Sequence, residues 1–352
     1  MKKIRIGIIG MGIMGCQYAS LLLSGTAPSL ELSAVTRIGR NQKGWERQEL
    51  PPEFPVFQSG KELIDKAEVD AVIVATPHYD HEFEVIPCLR KGIHVLCEKP
   101  LGAHILQAER MIQEESQTSA VFAIMLQQRA AFQYQKLREI VRSGKYGKVR
   151  RFNWIVTDWY RPDAYYHSSA WRATWAKEGG GVLLNQATHN IDIIQWIFGM
   201  PEYVMAFCKE GRWHSIEVED DATIYMEFPD GVNGIFTTST GDRPGVNRLE
   251  IDMDRAQIVC EDEKICIQEP GRETKCFTET VTMKKQRNLY EIMLNNFAAV
   301  IQGKDKLIAP GREGMTSLMM INAIYLSSWR KQIVNFPLRG EEYLREFGKK
   351  LK

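Results

Sequence analysis

The feature that most constrains the fold is a glycine-rich turn near the start of the chain. An apolar run, IRIGIIG, occupies residues 4–10, and the pattern Gly-x-Gly-x-x-Gly follows as GMGIMG over residues 10–15. The run predicts a buried strand, and residues 16–24 behind the motif predict a helix. In such a unit the glycines allow a tight turn, close approach of the backbone to a pyrophosphate, and helix–strand packing, although a purely structural glycine turn is the alternative. The residues expected against a dinucleotide are Gly10, Gly12, Ile13, Met14 and Gly15.

Strand-like and helix-like segments alternate through the first 125 residues. Further strands are predicted at residues 30–36, 70–76, 94–100 and 121–126, and helices at residues 61–67, 79–91 and 105–116. Strands that alternate with helices at this spacing are typical of a parallel sheet. We therefore expect a doubly wound Rossmann domain over residues 1–125, which would bind a dinucleotide.

The pattern changes after residue 125. One helix is predicted at residues 131–143, strand-like runs follow at 150–160, 223–240, 247–253, 256–262 and 264–269, and a last long helix is predicted at 314–331. The stretch Pro229-Asp230-Gly231 between two apolar runs is a hairpin signal. Residues 126–352 are therefore expected to form an α/β substrate-binding and oligomerisation domain with an open, mostly antiparallel sheet. The predicted fold class is α/β.

Charge and cysteine content limit the kinds of partner and compartment. The chain has 45 basic and 44 acidic side chains and a net charge of +1, so there is no electrostatic case for nucleic acid or an anionic membrane surface. The substrate is therefore expected to be neutral or modestly charged. The seven cysteines are irregularly spaced and include no Cys-x-x-Cys pair, which argues against a disulfide framework or a zinc site and favours a reducing compartment.

The start of the chain and the histidine and cysteine pairs bear on the location of the protein and on metal binding. Glycines interrupt the first apolar run, so a strand is favoured over a signal peptide. No apolar run reaches the roughly 18 residues of a membrane-spanning helix. The pairs His78/His81 and Cys260/Cys266 do not form part of a metal-binding constellation in the sequence. We expect a cytoplasmic protein without a metal.

The end of the second predicted strand bears on the choice of cofactor. NAD-binding folds place an acid there to hold the ribose hydroxyls, whereas this chain has Thr36 and Arg37, with Arg40 close behind. An arginine suits a 2′-phosphate, and Thr36 could donate a hydrogen bond to it, so NADP is slightly favoured over NAD. The alternative is that Arg37 stacks on the adenine of NAD.

Three further motifs follow the glycine turn. They are ATPHYDH over residues 75–81, Glu98-Lys99-Pro100, and GGG…Asn-x-x-x-His-x-x-Asp over residues 179–192. Together the four motifs resemble the glucose–fructose oxidoreductase / inositol dehydrogenase / MocA (Gfo/Idh/MocA) family over nearly the whole chain. The resemblance implies a Rossmann domain, a C-terminal domain whose open sheet often forms the subunit interface, and NAD(P)-linked oxidation or reduction at a carbinol carbon of a sugar or polyol.

Carried onto this sequence, the resemblance assigns roles to individual residues. Lys99 is expected near the nicotinamide and a substrate hydroxyl, with a cis Lys99–Pro100 bond, which X-Pro bonds tolerate at modest cost. His189 is the expected acid–base residue. The other residues expected to line the cofactor are Thr76, Pro77, His78, His81 and Glu98. Gln127, after the last predicted strand of the domain, is a further candidate neighbour of the nicotinamide.

The chemistry of the side chains agrees with these roles. Hydride transfer from a secondary alcohol needs a nearby base for the hydroxyl proton, and the pKa of histidine lies in the useful range. A lysine beside the cofactor can donate hydrogen bonds to a developing alkoxide or have its own pKa lowered by burial. The alternatives are that Lys99 is a surface lysine and that His189 is a helix-face histidine satisfied by its neighbours.

Asn185 lies four residues before His189, so a helix would place both on one face. The family pattern commonly has aspartate here, and an amide cannot raise the basicity of an imidazole by charge. Asn185 is therefore expected to bind and orient a substrate hydroxyl, with His189 as the main proton acceptor. Asp192, three residues after His189, either orients it or is a structural partner.

Aromatic and arginine side chains crowd residues 154–175. This composition suits stacking on sugar faces, and it equally suits core or interface packing. Arg129, directly after the last predicted strand of the first domain, is expected to reach the substrate, and Arg161 is a further candidate. The other residues expected to contact a substrate are Tyr160, Tyr166, Trp171 and Arg172.

The favoured function is a dehydrogenase or reductase that acts on a ring hydroxyl or ketone of a sugar, polyol or glycoside, with the 3-position as one candidate. Two other hypotheses stay open. One is a glycosidase of the same fold that oxidises its sugar transiently and returns the hydride. The other is a non-catalytic sensor that binds a nucleotide. The expected partners are a small carbohydrate and further copies of the chain, in a dimer or tetramer formed through the C-terminal sheet.

Overall fold

The alternating segments at the start of the chain form a six-stranded parallel sheet. The computed structural model describes residues 2–36, 50–278 and 288–351, so Arg37 and Arg40 lie outside the described residues. The strands are β1 (Ile4–Ile9), β2 (Leu30–Thr36), β3 (Val56–Phe57), β4 (Ala71–Val74), β5 (His94–Cys97) and β6 (Phe122–Ile124). Their order in the sheet is β3-β2-β1-β4-β5-β6, and every neighbouring pair is parallel. This is the doubly wound Rossmann order, which confirms the predicted fold class.

Apolar residues on consecutive positions explain why these strands form the centre of the unit. All four residues of β4 are buried, as are five of the six in β1, which is typical of parallel strands covered on both faces. The helices between them are α1 (Ile13–Leu23), α2 (Gly60–Lys66), α3 (His81–Arg90) and α4 (Ile105–Glu115). The predicted helices at 61–67 and 105–116 thus agree with α2 and α4 to within one residue at each end.

The chain divides into two compact units, and the first of them is discontinuous in sequence. It consists of Met1–Ala130 and Arg287–Met315, and the second consists of Ala131–Gln286 and Thr316–Lys352. The sequence analysis assigns all of 126–352 to one domain, so the return of the chain to the first unit corrects that boundary. Its cause is a set of long-range contacts: the Tyr290 ring lies edge-on to Tyr18 at 5.8 Å, and Asn295 donates to the Thr26 carbonyl at 3.0 Å.

A nine-stranded sheet forms the second unit. Its strands are β7 (Val149–Val156), β8 (Tyr203–Glu210), β9 (Glu219–Glu227), β10 (Asn233–Ser239), β11 (Asn247–Met253), β12 (Gln257–Glu261), β13 (Lys264–Gln268), β14 (Lys275–Phe277) and β15 (Val334–Asn335). Their order is β14-β13-β12-β11-β7-β10-β9-β8-β15. Only β7 and β10 pair in parallel; the other pairs are antiparallel. The predicted open, mostly antiparallel sheet is confirmed, and so is the hairpin, whose turn Pro229–Gly231 joins β9 to β10.

The helices of the second half of the chain are α5 (Phe132–Arg142), α6 (Asp163–Tyr166), α7 (Val182–Asn185), α8 (Thr188–Phe198), α9 (Leu289–Ile301), α10 (Gly311–Arg330) and α11 (Gly340–Lys350). The sequence analysis includes neither α9 nor α11 and does not place a strand at β8. The helix α11 buries Tyr343 and Phe347, which are four residues apart and therefore share one helical face.

One disulfide corrects an expectation from the sequence. Cys266 in β13 and Cys276 in β14 are directly opposite each other in the antiparallel register and form a disulfide. The other cysteines, Cys16, Cys88, Cys97, Cys208 and Cys260, are not part of a disulfide. The sequence spacing of Cys266 and Cys276 could not reveal this disulfide, because the two residues face each other only through the register of β13 and β14. Over the described residues, no helix has both the length and the apolar content that a membrane crossing requires.

Close aromatic packing in the second unit allows a direct test of this fold. An added Cβ at Gly234 in β10 would come within 3.0 Å of the Phe152 ring. That ring is buried and stacks on Phe198 at a centroid distance of 4.2 Å. We expect Gly234→Ala to lower the free energy of unfolding by about 1–3 kcal/mol, because a packed core cannot absorb the extra methyl group without strain.

Gly348 in α11 provides the matched control. No atom of the described residues lies within 4 Å of a Cβ built there. Gly348→Ala is expected to raise the free energy of unfolding by ~0.5–1 kcal/mol, because alanine loses less backbone entropy in a helix. Urea titration of both variants measures the two effects. Equal stability of the two variants would contradict the packing around Phe152.

Candidate active site

The three glycines of the turn in the first unit differ in how much space surrounds them. Gly10 has a φ of +96°, and a Cβ there would lie 2.6 Å from the carbonyl carbon of Ala75. A Cβ at Gly15 would collide with the carbonyl oxygen of Gly10, whereas a Cβ at Gly12 would meet no atom of the described residues within 4 Å. Gly10 and Gly15 are thus needed for packing of the protein itself. Gly12 borders open space, where a ligand can approach the backbone.

This turn fits the phosphates of a dinucleotide. The helix α1 begins at Ile13 directly after Gly12, has no side-chain cap and carries no acid in its first turn. Its first N–H groups and the positive end of its dipole therefore suit an anion. The hydroxyl of Thr76, after β4, is buried without a hydrogen-bond partner among the described residues, so it too can take a polar group of a ligand. Thr36, by contrast, is buried and accepts the N–H of Gly10 at 2.9 Å, so it supports the turn itself.

His81 connects two of the sequence motifs. Its Nδ1 lies 2.9 Å from the carbonyl oxygen of Pro100, and its Nε2 lies 2.9 Å from that of Thr76. The ring is fully buried, and burial lowers its pKa to about 4. The sequence analysis expects His81 to line the cofactor. In the structure both ring nitrogens contact the main chain and hold the two loops together.

Glu98 supports the loop that carries Lys99. It is buried, and its carboxylate accepts the Tyr18 hydroxyl and, at 3.1 Å, the backbone N–H of Lys99. Burial raises the pKa of Glu98. The Lys99–Pro100 bond is cis, as the resemblance implies. Lys99 therefore follows β5 at the carboxyl end of the parallel sheet, where ligands of such folds bind.

The two candidates after β6 have different surroundings. Gln127 donates from Nε2 to the hydroxyl of Tyr290 at 3.2 Å, within the first unit. Arg129 is fully buried and forms an ion pair with Glu313, and it donates to the carbonyl of Ile308 at 3.5 Å. These partners give Arg129 a structural role within the first unit.

In the second unit, Asn185 and His189 lie on two short helices rather than one. Asn185 ends α7, and His189 is the second residue of α8. The hydroxyl of Thr188 donates to the carbonyls of Leu183, at 3.2 Å, and of Leu184. The Thr188 side chain therefore links the start of α8 to α7 by hydrogen bonds across the break between the helices.

The three glycines before α7 make room for a buried glutamate that the sequence analysis does not identify. A Cβ at Gly181 would collide with the backbone of Glu219, and a Cβ at Gly180 would collide with the hydroxyl of Tyr325. The carboxylate of Glu219 accepts the N–H groups of Gly181 and Leu183, each at 2.9 Å, and the Tyr325 hydroxyl at 2.8 Å. Glu219 thus caps α7 from strand β9. Burial raises its pKa from 4.5 to about 8, against these hydrogen bonds.

Asn185 is held by a second buried carboxylate. Its amide nitrogen donates to Glu178, whose other oxygen accepts the N–H of Ala173 at 2.5 Å. Glu178 is only 3% exposed, so this side chain fixes the direction of the Asn185 amide. Asp192 accepts from Gln195 at 3.0 Å and is buried, which gives it at least one structural bond.

The predicted substrate residues of this unit gather around two tyrosines. Tyr166 is buried and its hydroxyl bonds that of Thr240 at 2.7 Å. Arg172 lies over the rings of Trp171, at 4.7 Å, and Tyr165, at 4.5 Å. Tyr160 is 39% exposed and is the most accessible ring of this group. The structure therefore brings Tyr160, Tyr166, Trp171 and Arg172 into one segment of the second unit, around α6.

A buried histidine–aspartate pair also packs against this segment. Nδ1 of His214 lies 2.9 Å from Oδ2 of Asp220, which also accepts the backbone N–H groups of Trp213 and His214. The His214 ring lies 4.9 Å from that of Tyr166. No metal-binding group of three His, Cys, Asp or Glu side chains occurs in the described ranges.

Comparison with family models covers both halves of the chain. Residues 4–126 match the model described as an oxidoreductase family with an NAD-binding Rossmann fold. Residues 134–259 match the GFO/IDH/MocA C-terminal domain. The two matches follow one another in the order that the four motifs predict.

Curated relatives share about a quarter of their residues with this chain. Myo-inositol 2-dehydrogenase of Thermotoga maritima is 24% identical over 330 residues, which cover 90% of this chain and 93% of that protein. Trans-1,2-dihydrobenzene-1,2-diol dehydrogenase of Bos taurus is 27% identical over 241 residues, 67% of this chain and 68% of that protein. 1,5-Anhydro-D-fructose reductase of Ensifer adhaerens is 26% identical over 274 residues, 74% and 78% of the two chains.

Solved structures show the same fold at lower identity. The WlbA dehydrogenase of Bordetella pertussis, in complex with NADH and UDP-GlcNAcA, has a TM-score of 0.82 at 22% identity and covers 96% of this chain and 100% of its own. A levoglucosan dehydrogenase, in complex with NADH and levoglucosan, has a TM-score of 0.81 at 18% identity, with the same coverage. These similarities concern the fold alone.

The different surroundings of Gly12 and Gly15 predict different effects of the same substitution. Gly15→Ala should lower the free energy of unfolding by about 1–3 kcal/mol through overpacking. Gly12→Ala should leave stability nearly unchanged but weaken nucleotide binding by about tenfold or more, which is ~1.4 kcal/mol, because its methyl group enters the space used by the phosphates. Thermal unfolding and fluorescence titration with NADH and NADPH measure the two effects. Wild-type affinity in Gly12→Ala would exclude a pyrophosphate at this turn.

The raised pKa of Glu219 predicts a pH dependence of stability. The folded protein keeps a proton on Glu219 that the unfolded chain releases between about pH 4.5 and 8. The stabilising effect is therefore fully present below about pH 4.5 and is lost as the pH rises through about 8. Relative to Glu219→Gln, the wild-type advantage in free energy of unfolding should shrink across this window.

Urea titrations of wild type and Glu219→Gln between pH 4.5 and 8.5 measure this difference. The exposed Glu341, in the first turn of α11, provides the control, because Glu341→Gln should not change the slope. A wild-type advantage that grows with pH would show that the carboxylate is ionised in the folded protein throughout the window.

Proposed function

The chain belongs to the Gfo/Idh/MocA family of oxidoreductases, and on this premise we propose that it transfers a hydride between a nicotinamide cofactor and a carbinol or carbonyl carbon of a sugar, polyol or glycoside. The named relatives support the class of reaction, since they are dehydrogenases and a reductase of inositol, a cyclic diol and a sugar-derived ketone. A ring hydroxyl, with the 3-position as a candidate, is the proposed site of oxidation.

The observation that carries this proposal is the support given to Lys99. A buried glutamate holds its backbone N–H, and a buried histidine bonds the carbonyl of the following Pro100. A lysine fixed in this way at the carboxyl end of β5 suits a group that donates a hydrogen bond to a developing alkoxide. A surface lysine would not need two buried partners for its loop.

The second unit supplies the proposed proton acceptor. A bound nicotinamide cofactor would supply the acceptor for the hydride of the alcohol carbon, or the donor of a hydride to the ketone carbon. His189 takes the hydroxyl proton in the oxidation and gives it back in the reduction. Asn185 binds a substrate hydroxyl, because Glu178 fixes its amide and thereby the direction of the carbonyl end. Tyr160, Tyr166, Trp171 and Arg172 bind the remainder of the sugar.

The proposed cofactor is NAD or NADP, with NADP slightly favoured. The preference rests on the sequence at the end of β2, where Arg37 and Arg40 follow Thr36 and no acid is present. A homo-oligomer formed through the sheet of the second unit and a cytoplasmic location remain predictions from the sequence.

Substitution of the two proposed reactive residues tests this function. Lys99→Met should lower kcat/KM by about 10²–10³-fold through loss of the donor to the alkoxide. His189→Ala should lower it by about 10²–10⁴-fold through loss of the base. Absorbance of the reduced nicotinamide is followed after mixing the protein with NAD or NADP and a panel of sugars, polyols and glycosides. Lys61→Met, at an exposed lysine of α2, is the matched control and should keep wild-type turnover.

The same assay separates the proposal from its alternatives. Unchanged turnover in both Lys99→Met and His189→Ala would refute the assigned roles. Release of an aglycone without net reduction of the nicotinamide would indicate the redox-assisted glycosidase instead. Bound nucleotide with neither reduction nor release would leave only the non-catalytic sensor.

A further inference from the structure

Two arginines lie against one tyrosine ring in the second unit. The guanidinium carbon of Arg161 is 5.1 Å from the centroid of the Tyr165 ring, and that of Arg172 is 4.5 Å from it. Arg172 also donates to the Tyr165 hydroxyl at 2.7 Å, and Arg161 donates to the Tyr160 carbonyl at 3.3 Å. Two positive charges are thus held near each other on a single aromatic side chain.

Neither guanidinium group has an acidic partner in the part of the chain that the structure describes. No carboxylate of residues 2–36, 50–278 or 288–351 forms an ion pair with Arg161 or Arg172, and the Nε atoms of both are buried without a hydrogen-bond partner in these ranges. Other arginines of the same unit do have such partners. Arg150 pairs with Asp254, Arg151 with Asp252 and Arg212 with Asp221.

Arg161 and Arg172 lie next to the residues that contact Asn185. The Tyr165 hydroxyl accepts a second hydrogen bond, at 3.1 Å, from Gln186, which directly follows Asn185. Ala173, which directly follows Arg172, donates to the glutamate that fixes the Asn185 amide. The two guanidinium groups are therefore connected through one tyrosine and one carboxylate to the proposed substrate-binding amide.

We infer that Arg161 and Arg172 bind an anionic group of the substrate, so that the enzyme acts on acidic rather than neutral carbohydrates. Like charges that face one ring repel each other, and buried N–H donors without partners are costly. A carboxylate or phosphate offers several oxygens to the planar forks of two guanidinium groups and removes both costs. Tyr165 keeps the two forks oriented through the stacking and the hydroxyl bond.

This inference rests on the proposed function and names its substrate class. The anion could be the carboxylate of a sugar acid or the phosphate of a phosphorylated sugar, since both present the same acceptor geometry. The near-zero net charge of the chain is no obstacle, because recognition here depends on two local charges and not on the field of the whole protein.

Matched sugar pairs test the inference. Each pair differs by one anionic group: D-glucose and D-glucuronate, D-galactose and D-galacturonate, D-glucose and glucose 6-phosphate. Binding is measured by calorimetry without cofactor, and KM and kcat are measured with NAD and NADP. The anionic member of at least one pair should bind more tightly than its neutral counterpart. If the tighter-binding sugar is a uronate, the recognised group is a carboxylate. If it is glucose 6-phosphate, the recognised group is a phosphate.

Variants assign the effect to the two arginines. Arg172→Gln and Arg161→Gln should each weaken binding of the anionic sugar, and raise its KM, by about 10- to 100-fold, and should weaken binding of the neutral sugar of the same pair less. Arg172→Lys keeps the positive charge but not the planar guanidinium group, so it should weaken binding of the anionic sugar less than Arg172→Gln does. Arg212→Gln is the control, because Arg212 also lies over an aromatic ring, that of Trp213, but has Asp221 as its partner. It should bind like wild type, and thermal midpoints confirm that all variants fold.

The outcomes separate this inference from the function on which it rests. It is overturned if no anionic sugar binds more tightly than its neutral counterpart, or if Arg172→Gln weakens both members of a pair equally. Anionic sugars that bind through Arg172 but never reduce the nicotinamide would support the anion site and contradict the hydride transfer. Neutral sugars that are oxidised as well as acidic ones would support the hydride transfer and contradict the anion site.

Discussion

Each unit depends on a point where main chain meets main chain too closely for any side chain. In the first unit, Gly15 packs on the carbonyl of Gly10, and in the second, Gly181 packs on the backbone of Glu219. Close approach of this kind requires glycine, because a Cβ would overlap the opposing atoms. Both contacts immediately precede or begin a helix that carries candidate site residues. The position of the polar backbone groups at each of these two contacts therefore requires a residue without a Cβ.

Buried carboxylates then fix the residues proposed to act on the substrate. Glu98 accepts the backbone N–H of Lys99, Glu178 accepts the amide of Asn185, and Glu219 accepts the first N–H groups of α7. A buried carboxylate is costly unless several donors satisfy it. Each of the three has at least two donors, so the cost is offset and the geometry around each proposed residue is well defined.

The sequence predicted the parts of the fold that depend on local pattern. Apolar strands, the glycine turn and the Pro229–Gly231 hairpin are local signals, and they gave the Rossmann sheet and the mostly antiparallel second sheet. The return of α9 to the first unit could not be predicted this way, because it depends on contacts such as Tyr290 with Tyr18. The disulfide of Cys266 and Cys276 depends on strand register for the same reason. The helix α11 did carry a local signal, with acids in its first turn and lysines in its last.

The candidate site residues also differ in whether a local motif or a long-range contact identifies them. Lys99, Asn185 and His189 belong to motifs and were named from the sequence. Glu219 was not, because its role depends on the approach of a distant strand to a glycine. For Arg129, the sequence predicts a substrate contact from its position after β6, and the structure adds an ion pair with Glu313, which is 184 residues away in sequence. Long-range polar pairing is the information that the sequence lacks.

The most direct test of the account is the origin of the hydrogen that reaches the cofactor. The protein is incubated with NAD or NADP and with sugars and sugar acids that carry deuterium on carbon, and the reduced nicotinamide is isolated and examined by mass spectrometry and NMR. The account predicts one deuterium at C4 of the nicotinamide for each ketone formed, with none derived from the solvent. A reduced nicotinamide that contains only solvent hydrogen, or a converted sugar whose deuterium never reaches the cofactor, would contradict hydride transfer by this protein.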